Sequence, residues 1–170
     1  MPSEGRGCPF EPGREHIEAD ELRMRRALAL AGEAAAAGEI PVGAVLVSDA
    51  GTFESGNEKE RRPDPTAHAE LLVIRAAAAG LGRWRIGGTL YVTKEPCPMC
   101  AGAIAAARIE RLVYGCDDVK AGAAGSVIDI LGSAAVNHRV RVTAGVLARE
   151  TADQLREYFR SKRPERWPSG

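Results

Sequence analysis

The sequence predicts an α/β protein, a three-layer α/β/α sandwich around one five-stranded mixed sheet. Two kinds of segment predict it: short β-rich apolar runs at Val42–Val47, Thr89–Thr93 and Arg111–Tyr114, and stretches of helical periodicity between them. Each crossover helix must cover a sheet face, which gives the layers. A chain of 170 residues, 45% of them hydrophobic, suits one compact domain and is short for two.

Residues Met1 to about Glu18 mix Gly, Pro, Arg and Glu without apolar periodicity and read as a loosely ordered extension; the domain itself is expected over 20–163, with 164–170 as a tail. Leu22, Ala27, Leu28, Leu30, Ala31, Ala34 and Ala35 recur at helical spacing, so a first helix is predicted from Asp20 to Ala37, stopped by Gly38. Val42–Val47 and Thr52–Gly56 then form a hairpin around Ser48-Asp-Ala-Gly51, and Asn57 follows at its end. Pro63 and Pro65 keep Glu58–Thr66 a loop, leaving Thr66 to cap a second helix over Ala67–Ala79.

Beyond glycines at 80, 82, 87 and 88 comes the strand Thr89–Thr93, and Pro98 opens a third helix running to about Ala107. Arg111–Tyr114 is a strand, Gly115–Gly125 a glycine-rich loop, Val127–Leu131 a short helix and Arg139–Thr143 the last strand. Leu147 to about Ser161 is a closing amphipathic helix, with Leu155, Tyr158 and Phe159 inward and Arg156, Arg160, Lys162 and Arg163 outward or past its end. Trp84 and Tyr91 could stack on bases, but aromatic residues beside a glycine turn or within a strand more often pack the core, and neither is assigned a role.

The charge balance, 23 basic against 23 acidic residues, gives no overall field that would attract nucleic acid, so such a partner would need a local patch. No secretory signal follows Met1, and no run approaches the length of a membrane span, so the cytoplasm is the expected compartment. In a reducing compartment a Cys-x-x-Cys pair points to metal or redox chemistry rather than to a structural disulfide.

That pair is Cys97 and Cys100, within Pro96-Cys-Pro-Met-Cys100, and it is preceded by His68-Ala-Glu70. Either motif alone is common, and a lone Cys-x-x-Cys is more often structural zinc or a redox pair. A structural zinc would want a fourth protein ligand, but Cys8, Cys116, His16 and His138 stand in no paired spacing. A thioredoxin-like reading leaves His68-Ala-Glu70 unexplained. The two motifs in this order, each at a helix start, form the established signature of zinc nucleobase deaminases.

One imidazole and two thiolates leave a tetrahedral metal one open position for water. Helix N-termini favour the thiolates that zinc requires. Hence His68, Cys97 and Cys100 are the expected ligands of one Zn2+ per subunit. Glu70, two residues from His68, can then reach the same cavity and shuttle protons without ligating the metal. The predicted reaction is hydrolytic: activated water adds to an amidine-like ring carbon, Glu70 carries the proton to the ring nitrogen and then to the departing amine, and ammonia leaves.

The segments Ile40–Val47, Asp64–Glu70, Thr89–Thr93, Glu95–Gly102, Lys120–Ser126 and Asn137–Val140 closely resemble bacterial tRNA-specific adenosine deaminases, and the likeness runs from about Leu22 to Arg163. The resemblance implies a cytidine-deaminase-like fold and conversion of adenosine to inosine at the wobble position of an arginine tRNA. It also implies a homodimer whose partner subunit helps shape the site for the anticodon stem-loop. Asn57 and Ala69 would contact the substrate, and Asp118 and Lys120 would contact the splayed nucleotides around it. Without the resemblance Asn57 reads as a turn residue and Asp118 and Lys120 as members of a solvated loop.

Arg156, Arg160, Lys162, Arg163 and Arg166 could hold tRNA phosphates, although a charged face on a terminal helix is usually just solvated. Three features depart from the family pattern: Lys94 stands where an apolar residue is expected, Glu58-Lys-Glu60 is unusually charged, and the segment before Asp20 is long. Two other functions remain open at this point: a guanine or other small-base deaminase, and a zinc-stabilised RNA-binding module without catalysis.

Overall fold

A computed structural model describes residues 14–163. The expected N-terminal extension up to residue 13, the tail at 164–170, Cys8 and Arg166 lie outside the described residues. In chain order the elements are α1 (Arg14–Ala36), β1 (Gly43–Ser48), β2 (Gly51–Gly56), α2 (Ala69–Leu81), β3 (Thr89–Lys94), α3 (Pro98–Ala106), β4 (Arg111–Cys116), β5 (Arg141–Thr143) and α4 (Ala148–Ser161).

The strands form one five-stranded sheet in the order β2-β1-β3-β4-β5. β1 runs antiparallel to β2 and β3, whereas β3, β4 and β5 are mutually parallel. Alternation along the strands divides the core into two layers. Ala44, Leu46, Leu90, Val92, Leu112 and Tyr114 pack with α2 and α3 on one face, and Val45, Tyr91 and Val113 pack with Met24, Ala27 and Leu30 of α1 on the other. Gly43 lets α1 lie directly on β1, since a Cβ there would stand 2.0 Å from the Ala27 carbonyl oxygen.

α1 begins at Arg14 rather than near Asp20. No Gly or Pro interrupts Arg14–Ala19, so the helix continues N-terminally from the part that Asp20 anchors. Asp20 is buried and takes a bidentate pair from Arg111 at 2.9 and 2.6 Å, together with the Tyr91 hydroxyl at 3.1 Å. Tyr91 thus packs in the core as expected, with its hydroxyl partnered. Trp84 does not: it is 58% exposed, with the Arg85 guanidinium 4.8 Å from its ring centre. Its place in the α2–β3 connection leaves it no core to enter.

Three other expectations are corrected. Val127–Leu131 is not a helix but the return of a loop, in which Ala124 and Asp129 form an antiparallel bridge and Gly125 has a φ of 129°. β5 is confined to Arg141–Thr143. Phe159 is 49% exposed, whereas Thr151 is buried against β4. At 3.6 residues per turn the stripe through Thr151, Leu155 and Tyr158 faces the protein and turns Phe159 away. Arg156 and Arg160 point outward as expected, but they pair along the helix with Asp153 and Glu157.

Candidate active site

The chemistry-bearing residues meet at one end of the sheet because α2 and α3 both start there. Cys97 stands at the N-cap of α3, Pro98 supplies its first turn, and Cys100 follows one turn on. His68 occupies the N-cap of α2, and Thr66 does not cap it. Thr66 is held instead by Asp64, whose Oδ1 accepts both its N–H (2.8 Å) and its hydroxyl (2.7 Å). The cap comes from elsewhere in the chain: Asn57 Oδ1 accepts the Ala69 N–H at 2.9 Å.

His68 Nδ1 lies 3.7 Å from Cys97 Sγ and 3.5 Å from Cys100 Sγ, and the three ligand atoms all fall within 4.8 Å of one another. A tetrahedral zinc with ordinary bond lengths separates its sulfur and nitrogen ligands by about 3.6 Å, so the donor set fits that ion in kind and spacing. Hydrogen bonds from the Cys100 thiol and the His68 ring pull the Cys97 thiol down to about 4, so one thiolate exists at neutral pH. The same shared proton and burial push Cys100 up, and the bond to Cys97 raises His68.

Glu70 is buried beside this cluster, and its Oε2 has no hydrogen-bond partner in the protein. Burial raises its pKa above the usual carboxylate range. Such an oxygen calls for a ligand or a water, and the cleft supplies the room. Ile40, Val42, Asn57, Lys59, His68, Glu70, Lys94, Glu95, Cys97 and Asp118 line an open cleft of about 90 Å³. Ile40 and Val42 give it an apolar wall, while the polar groups converge from the other sides.

The expected site residues divide accordingly. Asn57, Asp118, Glu70, His68 and Cys97 line the cleft, with Cys100 directly behind them. Ala69 is buried; its N–H is committed to Asn57 and its side chain belongs to the core. Lys120 is exposed and stands away from the cleft wall, in the same loop as Asp118.

A profile of the MafB19-like deaminases matches residues 18–163. The chain is 49% identical over 160 residues to the tRNA-specific adenosine deaminase of Haemophilus influenzae, covering 92% of each. The chain belongs to the tRNA-specific adenosine deaminase family. A second relative so named, from Bacillus subtilis, is 43% identical over 149 residues, 86% of this chain and 92% of its own. A solved structure from a study of A-to-I editing by tRNA:A34 deaminases superposes with a TM-score of 0.76 at 44% identity, covering 79% of this chain and 99% of that one. This likeness bears out the cytidine-deaminase-like architecture expected of the family.

Two site features of this family member escaped the sequence reading. Glu95 is 2% exposed, and its carboxylate gathers the loop after β4 by accepting the N–H groups of Asp118 (3.0 Å), Ala124 (3.0 Å) and Ser126 (3.1 Å) and the Ser126 hydroxyl. Gly122 permits this approach, since a Cβ there would stand 2.2 Å from Glu95 Oε2. Glu39, buried, does the same for the charged segment by accepting the Glu60 N–H (2.9 Å) and Arg61 N–H (2.8 Å), which sets Lys59 on the cleft wall. Nothing next to Glu95 in the chain announced this role, because the loop it gathers follows β4, with the nearest partner 23 positions away.

Proposed function

We propose that this chain is a zinc-dependent hydrolase that deaminates adenosine to inosine at the wobble position of an arginine tRNA. The catalytic unit spans 20–163, takes one Zn2+ per subunit, and works in the cytoplasm as a homodimer on the anticodon stem-loop. No helix among the described residues is long and apolar enough to cross a membrane. Relatives named for this reaction over nearly their whole length support the substrate class. The observation that carries the chemistry is the unpartnered Oε2 of Glu70, buried in a cleft beside His68, Cys97 and Cys100.

His68 Nδ1, Cys97 Sγ and Cys100 Sγ would hold the zinc. When bound, zinc supplies Lewis acidity that brings the pKa of water towards neutrality. The proton movements fall to Glu70. Its Oε2 accepts a proton from the attacking water and delivers it to the purine N1 as the C6–O bond forms. The remaining hydroxyl proton then passes by the same oxygen to the exocyclic amine, the C6–N bond breaks, and ammonia leaves. Burial suits Glu70 to this task because it raises the carboxyl above the usual carboxylate range, which strengthens its hold on a proton taken from water. Asn57 fixes the start of α2 and thereby the direction of Glu70. Ile40 and Val42 offer the apolar surface on which a purine face can lie.

The test offers the purified, zinc-loaded protein an arginine-tRNA anticodon stem-loop bearing wobble adenosine, alongside free guanine, cytosine and adenosine, and measures inosine and ammonia. Inosine in the stem-loop with the free bases untouched supports the reading. Turnover of a free base with the RNA unchanged would make the chain a small-base deaminase instead. Glu70→Gln should keep zinc and RNA affinity and lose turnover by at least about a hundredfold. A wild type that binds RNA without producing inosine points to a non-catalytic binding module.

A further inference from the structure

Lys94 ends β3, in register with Cys116 at the end of parallel strand β4. Asp118 lies two residues beyond Cys116, so the parallel pairing brings these two side chains together at the edge where α3 begins. Their charged atoms meet at 2.6 Å, and both line the cleft that holds Glu70. Lys94 keeps 31% of its side chain exposed and Asp118 11%, which puts the ammonium on the solvent side of the pair.

The other carboxylates of the cleft are accounted for. Glu95 is enclosed by four loop donors, and Glu70 lies deep beside the metal-ligand cluster. Asp118 is therefore the acid facing the entrance, and Lys94 is its counter-charge. Lys59 lines the same cleft from the opposite loop, and its amine has no carboxylate partner among the described residues. The entrance thus carries one compensated acid and one additional cation.

We infer that Lys94 is a specificity-determining residue: by neutralising Asp118 at the cleft entrance it admits an adenosine embedded in a phosphate backbone in preference to a free, uncharged base. The inference rests on the tRNA reading above. A polyanion approaching an uncompensated carboxylate meets repulsion that a neutral base does not feel, and salt screens that repulsion. Lys94 lies outside the proton pathway, so its contribution falls on association with RNA rather than on the chemical step.

The experiment measures kcat and KM for the wobble-adenosine stem-loop across a series of potassium chloride concentrations, for wild type, Lys94→Met, Lys94→Arg and Lys94→Met combined with Asp118→Asn. Lys94→Met is expected to raise KM about threefold to tenfold at low salt, with kcat within about twofold, and to flatten the dependence of log(kcat/KM) on log salt by up to about 0.7. Arginine should behave as wild type, and the double variant should recover most of the KM. Should Lys94→Met not fold, Lys94→Gln carries the same expectation. An unchanged KM and salt slope overturns the inference, as does a loss confined to kcat and thermal stability, which would make Lys94 only a prop for the loop. A wild type that leaves the RNA untouched overturns the tRNA reading itself and this inference with it, an outcome distinct from an active wild type with a silent Lys94→Met.

Discussion

The side chain of Asn57 accepts the backbone N–H of Ala69 at 2.9 Å, so a residue just beyond β2 caps the helix that carries Glu70. Asn57 is buried and lines the cleft. Glu70 sits one residue after the capped N–H, which couples the direction of its carboxylate to this one amide.

Asn57→Ala should therefore cost about 1–2 kcal/mol of stability, through loss of the cap and a stranded buried N–H. Turnover should fall more than the fraction of folded protein does. Asn57→Asp keeps an acceptor and should retain most of the stability. Thermal unfolding read beside kcat on the same preparations checks both; an Asn57→Ala protein with wild-type kcat would remove the coupling.

Chelation should abolish activity, and zinc should restore it. Elemental analysis of the purified protein should give one zinc per chain, falling to a small fraction in Cys97→Ser and Cys100→Ser. The geometry behind this is the 3.5 and 3.7 Å spacing of His68 Nδ1 from the two sulfurs. Full zinc content in both serine variants would place the metal elsewhere.

Glu95→Gln should release the loop at Asp118–Ser126. Three N–H groups and one hydroxyl bond to this carboxylate, and its loss should cost about 3 kcal/mol. pH should show the same contribution. Against the upward push of burial, the Ser126 hydroxyl and the loop N–H groups hold Glu95 below the usual carboxylate range; Lys94 and the Lys120 N–H do the same for Asp118. Folded-state pKa values below the unfolded ones give stability that is present above about pH 4 and lost as the pH falls through the folded values. The unfolding midpoint should thus drop more steeply below about pH 4 in wild type than in Glu95→Gln. Parallel curves would refute the assignment.

Asp20→Ala should loosen α1 from the sheet. Asp20 is 7% exposed, and Arg111, itself largely buried, would lose both of its carboxylate bonds while keeping Thr143 Oγ1 at 3.0 Å. Removing one partner of such a pair costs about 3 kcal/mol, because the other charge stays behind in a poor solvent. Pairing Asp20→Leu with Arg111→Met should recover much of it. Urea unfolding of the single and double variants gives the coupling, and additive losses would show that the pair is not linked.

The cluster of His68, Glu70, Cys97 and Cys100 was legible in the sequence because its code is local. His68-Ala-Glu70 and Pro96-Cys-Pro-Met-Cys100 each fit within the first turn of a helix, and a helix start fixes the relative directions of residues two or three apart. The β-rich runs at Val42–Val47, Thr89–Thr93 and Arg111–Tyr114 announced the central strands in the same way, by composition over a few residues. Where local rules competed, they misled: Thr66 looks like a cap but is taken by Asp64, and the apolar run Val127–Leu131 looks helical but folds back as a loop.

The sequence by itself determined the fold class and pointed to His68, Cys97, Cys100 and Glu70, which the fold brings to one cleft. Tertiary structure alone decided that Asn57 caps α2, that Glu95 gathers the loop from Asp118 to Ser126, and that Lys94 covers Asp118. It also decided that Trp84 and Phe159 face solvent. Each of those bonds joins residues on different elements, separated by a dozen positions or more. Propensity and periodicity report on neighbours within a turn or a strand, whereas such pairs exist only after the sheet has set the register of β3 against β4 and brought two helix starts to one edge.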